Sequence, residues 1–416
     1  MTAPLKDMNP YDTGIPTTIG NAIDKSKEAL KALNYEIYNN PELGYNEYKA
    51  HDAIVALLEK MGFEVTPHAY GIATSFEAEY GSGGRVVVFN AEYDALPEIG
   101  HACGHNLIAI TSFASFLAVA AQIKASNLQG RVRLLGTPAE ESEGGKIVLI
   151  DKGAYKFVDA CLMAHPGPLF AGYSKEYTGI VYQPHVATEA FKVSFKGKTA
   201  HAGFAPWQGT NALDAIVLGY NGISMLRQQI QPTERIHGII VDGGLTPNVI
   251  PGHGSVEYCV GARSLADNKR LKQRVVNCFL GASTATGCEV EVTDGSLYAD
   301  LRPNKFLCIL YTEIMAKLNS PVFCDVNTTE VIGGSTDQGN VSYVVPAIHP
   351  IYGIPVGPGN SNHTIGFATA AGTEEAFDRS LVVAKGLAIT AWSILADDAV
   401  ANKMKKEFDE EKKDRA

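Results

Sequence analysis

Basic residues are the minority charge. With 35 Lys and Arg against 45 Asp and Glu, the formal charge is −10, the wrong sign for a surface that tracks phosphates. No nucleic-acid partner is expected. Charged residues make up only 19% of the chain and hydrophobic ones 45%, a balance that supports a large buried core and argues against extensive disorder. Cysteine is sparse as well. Seven in 416 residues, an odd number without small-scaffold spacing, do not form a disulfide framework, so reduced thiols are expected. The N-terminal MTAPLKDMNPYDTGIP lacks a basic stretch followed by an apolar one. Uninterrupted hydrophobic runs are missing too: the longest apolar stretch, Leu107 to Ile123, contains Thr111, Ser112, Ser115 and Gln122, which suits a buried helix better than a membrane span. No membrane partner and a cytoplasmic location are therefore expected.

What is present is a length that favours two domains. Ile19 to Glu59 has helical spacing; Val86 to Ala91, Arg131 to Thr137 and Ala160 to Ala164 read as buried strands, with helices between them. Strands alternating with helices predict an α/β domain with a doubly wound, mainly parallel sheet. The Gly/Pro/Tyr-rich stretch PGPLFAGYSKEYTGIVYQPH then marks a junction. From Phe191 the chain reads as strand, helix, two strands, helix and strand, the order of a ferredoxin-like α+β unit. After Asp294 the α/β character returns. Residues 187–297 are thus expected to form an insertion into a discontinuous domain of residues 1–186 and 298–416. The charged tail KMKKEFDEEKKDRA is expected to be a solvated helix end.

Chemistry-bearing residues collect just past the buried strands, where α/β sheets bind ligands. Cys103 and His105 lie two apart in EYDALPEIGHACGHN, after Asp94. Thiolate and imidazole are natural zinc ligands, although an isolated Cys-x-His is more often a buried thiol beside a capping histidine. Glu140 and Glu141 follow a strand in PAEESEGG. Adjacent glutamates usually mean a solvated surface; at this position one can ligate a metal while its neighbour takes a proton from water. His165 ends an apolar strand, and His363 lies in the loop GNSNHT.

The segments EYDALPEIGHACGHN, PAEES, GKTAHAG, GGLTPNVIP, GSTDQGNVS and NSNHT, in this order, resemble the M20-family metallopeptidases. The likeness runs from Ile19 to Leu395 and is greatest to the subfamily D amidohydrolase branch, which includes the aminoacylase-1-like-2 proteins, p-aminobenzoyl-glutamate hydrolases and plant auxin-conjugate hydrolases. The resemblance implies a dinuclear metal site bridged by Cys103, with His105 and His165 completing one half and Glu141 and His363 the other. It implies Glu140 as general base and Asp94 as the carboxylate that orients a ligand. Glu92 stands where other members carry a ligand histidine and is left out of the set. Asn106 replaces the aspartate common after the CGH triplet, removing a charge near the metals.

The same resemblance makes the inserted domain a dimerisation lid, with His201 of GKTAHAG serving the other subunit as a donor to the tetrahedral oxyanion. Asn248, Arg263 and Asp337 are candidates for substrate binding; a guanidinium at Arg263 can pair with a terminal carboxylate. The expected cofactors are two divalent ions, zinc first, with manganese, cobalt or nickel as alternatives. The implied activity is hydrolysis of the amide bond of a dipeptide or N-acyl amino acid. The amide-forming direction, or a silent dimeric scaffold, are the competing functions.

Overall fold

The computed structural model describes residues 15–168 and 176–414. The sequence of residues 1–14 and the middle of the Gly/Pro/Tyr-rich junction lie outside them. The first part of the chain runs α1 (Ile15–Asn39), α2 (Tyr48–Lys60), β1 (Val65–Pro67), β2 (Phe76–Ser82), β3 (Arg85–Ala91), α3 (His105–Ser126), β4 (Gly130–Gly136), α4 (Gly145–Asp151), β5 (Ala160–Leu162), β6 (His165–Pro168) and β7 (Gly179–Ile180). Next come β8 (Ala187–Lys196), α5 (Ala212–Leu226), β9 (Arg235–Asp242), β10 (His253–Ala262), α6 (Leu265–Thr286) and β11 (Glu289–Tyr298). The remainder is α7 (Lys305–Lys317), α8 (Gln338–Ser342), β12 (Ala347–Ile348), β13 (Ile351–Ile354), α9 (Ile365–Ala371), α10 (Glu374–Ala396) and α11 (Asp398–Asp414).

Among the described residues a six-stranded sheet has the order β1-β2-β4-β3-β5-β12. Its centre is parallel, β3 with β4 and β5, and β5 with β12, while β2 and β1 add an antiparallel edge. Both faces are apolar, as a doubly wound sheet requires. Val87 and Phe89 of β3 pack with α1, α3 and α10, whereas Val86 and Val88 face Leu149 of α4 and Val341. α3 lies between α1 and α10 and is apolar around its whole circumference because it is surrounded. α3 and α10 are long and apolar enough to cross a membrane, but both are buried in this core. A three-stranded sheet, β6-β13-β7, continues from β5.

The chain divides into two compact units, the second comprising His185–Leu301 and Val331–Gly339. In it β8, β9, β10 and β11 form one antiparallel sheet of order β11-β8-β10-β9. α5 and α6 close its core around Val193, Phe195, Val256 and Phe279. Two departures from the expected layout stand out. Val331–Gly339, and with it Asp337, groups with the second unit rather than with residues 298–416, because Val186 N donates to Ile332 O and Gly334 O, a backbone tie with no local sequence signature. The C-terminal tail is not merely a solvated end: Val400, Met404 and Phe408 are buried at four-residue spacing, and Glu407 accepts from Lys305 N and Phe306 N at the start of α7.

Candidate metal centre

The carboxyl ends of β3 and β4 lead into the loops that carry Glu92 and Asp94, and Glu140 and Glu141, while His165 opens β6 shortly after β5. α3 begins at His105, two residues earlier than its apolar run suggests. Its start is set by Gly104, at φ 81, where a Cβ would lie 2.6 Å from Pro166 Cγ. Backbone sterics and packing both require glycine between Cys103 and His105. His363 is brought in by its own backbone, its N donating to Ala102 O at 2.8 Å. Asn362 Nδ2 donates to Pro166 O at 3.2 Å, tying that loop to the His165 strand.

Cys103 thus meets two pairs of side chains. With His105 and His165 it forms one group, with Glu141 and His363 another, and in each group the donor atoms all lie within 4.8 Å of one another. Cys103 Sγ is 3.4 Å from His165 Nε2, and His363 Nε2 is 3.3 Å from Glu141 Oε1. The His165 Nδ1 proton goes to Pro166 O at 2.7 Å, which leaves Nε2 free to offer a lone pair. Asp94 makes two ties: Oδ1 accepts from His105 Nδ1 at 3.0 Å and Oδ2 from Glu141 N at 2.9 Å. Glu140 is buried, with Oε2 3.8 Å from His105 Nε2.

Several of these groups are expensive to bury as they stand. His105 Nε2 is buried without a hydrogen-bond partner among the described residues, and the buried Glu141 Oε1 meets only the His363 ring nitrogen at hydrogen-bond distance, 3.3 Å, a cost that a cation would remove. Burial, aided by the Glu141 charge, pushes the Cys103 thiol well up, and burial holds His165 down to about 4. Burial also opposes charge on His105, yet Asp94 and Cys103 outweigh it and raise its pKa well above the ordinary value. Burial similarly opposes ionisation of Glu141, but its hydrogen bond to His363 and the His105 charge hold its carboxyl below the usual range. The cluster thus gathers charge that burial opposes, and its mixed thiolate, imidazole and carboxylate set suits a borderline divalent cation.

Sequence reasoning missed three neighbours of this centre. Glu92, left out of the expected set, places Oε2 3.5 Å from His105 Nε2 and forms a third possible donor group with His105 and Glu140. Its other oxygen is 2.5 Å from Lys146 Nζ, and both side chains are fully buried. Lys146 gave no signal because a lysine in GKIVLID ordinarily faces water. Glu47, buried in the loop between α1 and α2, bonds to Ala139 beside Glu140. Asn106 has a packing role: Nδ2 donates to Asn34 Oδ1 and Ala371 O, two acceptors that an aspartate could not satisfy in this arrangement.

The other expected residues belong to the second unit. His201 is exposed, and its Nδ1 accepts from Gly203 N and Phe204 N. Its ring proton is consequently placed on Nε2, a donor. Ala202 N donates to Asn248 O at 3.0 Å, bringing His201 and Asn248 together. Arg263 is exposed at the end of β10, and Asp337 is buried.

The sequence pattern of peptidase family M20/M25/M40 matches residues 88–391. The chain is 41% identical over 400 residues to the Xaa-Arg dipeptidase of Mus musculus, covering 93% of this chain and 90% of that protein. It is 31% identical over 307 residues to a p-aminobenzoyl-glutamate hydrolase component of Escherichia coli, covering 70% of this chain and 62% of that one. In fold it is similar to a dinuclear metal-binding M20 peptidase of Bacillus subtilis, with a TM-score of 0.64 and 20% identity over 88% of this chain and 98% of that one. The chain belongs to peptidase family M20/M25/M40.

Proposed function

We propose that the protein is a dinuclear metal-dependent dipeptidase, with Cys103, His105 and His165 holding one divalent ion and Cys103, Glu141 and His363 the other. The observation that carries this reading is the sharing of Cys103 by two donor groups beside the buried carboxylate of Glu140. Bound cations there supply Lewis acidity, lowering the pKa of water and polarising the scissile carbonyl. Zinc suits the thiolate and imidazoles best. Glu140 takes the proton of the attacking water and passes it to the leaving nitrogen. Asp94 keeps His105 in one tautomer and fixes the Glu141 backbone.

The high identity to a dipeptidase named for a C-terminal arginine, over nearly both chains, favours a dipeptide with a basic second residue over an aminobenzoyl-glutamate substrate. Arg263 is the candidate partner for the substrate carboxylate, and Asn248 and Asp337 are further candidates for binding. The test is hydrolysis of a panel comprising Xaa-Arg, Xaa-Lys and Xaa-Ala dipeptides, p-aminobenzoyl-glutamate and N-acetyl amino acids by the metal-loaded protein. Xaa-Arg is expected to have the highest kcat/KM; preference for p-aminobenzoyl-glutamate would overturn the substrate assignment.

A homodimer through the second unit is part of the proposal. β9 is an edge strand, and Ile239, Ile240 and Val241 on it are exposed, with no charged residue between Arg235 and Asp242. An apolar, unprotected edge of this kind invites pairing with a second copy. Val217, Leu218 and Tyr220 of α5 are exposed as well. The resemblance then has His201, with its Nε2 donor, serve the active site of the partner subunit. Light scattering is expected to give a dimer for the wild type and a monomer for Ile239→Lys; a monomeric wild type would contradict this interface.

A further inference from the structure

The loop at residues 40–47, between α1 and α2, reaches two of the loops that carry the candidate centre. Ala95 N, next to Asp94, donates to Glu42 O at 2.8 Å. Ala139 N, next to Glu140, donates to Glu47 Oε1 at 2.8 Å, and Thr74 Oγ1 donates to Glu47 Oε2 at 2.8 Å. Thr74 is itself held, its carbonyl accepting from Tyr93 Oη. Glu47 is fully buried and no cationic side chain pairs with it among the described residues.

A buried carboxylate without a counter-charge costs stability, so its placement at Ala139 calls for a reason. Ala139 has φ 59, a left-handed conformation unfavourable for a residue with a Cβ. Its amide is fixed by Glu47 and its carbonyl accepts from Gly144 N at 3.0 Å. Gly44 from the same loop leaves room for it, since a Cβ there would lie 2.9 Å from Ala139 Cβ. The chain therefore turns sharply at the residue immediately before Glu140 and Glu141, and the turn is gripped from outside.

We propose that Glu47 is a positioning residue for amide hydrolysis: by holding the Ala139 N–H it keeps the left-handed turn that aims the Glu140 and Glu141 carboxylates. This rests on Glu140 and Glu141 having the roles given under the proposed function. The requirement is reach and an acceptor oxygen, not charge. In Glu47→Gln the amide oxygen accepts from Ala139 and the amide nitrogen donates to Thr74 Oγ1, so the clamp survives. Glu47→Asp keeps the carboxyl group but is one methylene too short, and Glu47→Ala has nothing to offer.

Two readouts test it. Hydrogen exchange of the segment 137–142 in metal-free protein reports the clamp directly, and kcat on the metal-loaded protein reports its consequence. Glu47→Ala and Glu47→Asp are expected to exchange faster at Ala139 and to lose roughly 10- to 100-fold in kcat, with KM changed far less; Glu47→Gln is expected to stay near wild type in both. Wild-type exchange and kcat in Glu47→Asp would overturn the proposal, as would a Glu47→Gln as impaired as Glu47→Asp. If Glu47→Ala does not fold, the Asp and Gln pair decides. A wild type that cleaves nothing in the substrate panel would overturn the proposed function and Glu47's part in it, while exchange would still decide the clamp.

Discussion

Replacing Glu140 with glutamine is expected to lower kcat by roughly 10²- to 10⁴-fold and to leave the metal content unchanged. The amide keeps the size of the side chain but cannot take a proton from water and return it to the leaving nitrogen. Glu140 belongs to neither donor group centred on Cys103, so those ligands remain complete. It does belong to the alternative group with Glu92 and His105, which makes the metal count informative. A variant that turns over at the wild-type rate would remove Glu140 from the role of base. One that lost an ion would show that Glu140 ligates.

The second large effect is on metal itself. Because Cys103 is common to both groups, Cys103→Ala is expected to release both ions and abolish hydrolysis, whereas His363→Ala weakens only one site. Cys103 would offer its negative charge to an ion in either group; burial and the Glu141 charge push its thiol well up, so the charge of a bound cation would be what draws the proton off. Metal analysis after gel filtration checks this. Two ions retained by Cys103→Ala would dismiss the bridging role.

Much of the larger unit was legible because its signals are local. β3 and β5 are short apolar runs and β4 alternates into one, and most residues of the candidate centre lie just past them or at the start of α3, while His363 sits apart in the loop before α9. The resemblance then assigned roles that no spacing could. What escaped detection depends on partners distant in sequence. Glu47 bonds to a residue 92 positions away, and Lys146 to one 54 away; neither charge looks buried in its own neighbourhood. The antiparallel edge made by β1 and β2, and the grouping of Asp337 with the second unit, likewise follow from backbone pairing. The apolar face of α11 did leave a trace: Val400, Met404 and Phe408 recur every four residues in an otherwise charged tail.

The central claim is that two divalent ions held around Cys103 carry out amide hydrolysis. It is tested most directly by counting metal per chain in protein purified without chelator, and by following Xaa-Arg dipeptide hydrolysis through metal removal and restoration. Close to two ions per chain, activity lost with them and recovered on their return, is the predicted result. Hydrolysis that persists in fully metal-free protein, or a chain that binds no metal under any supply, would contradict the account.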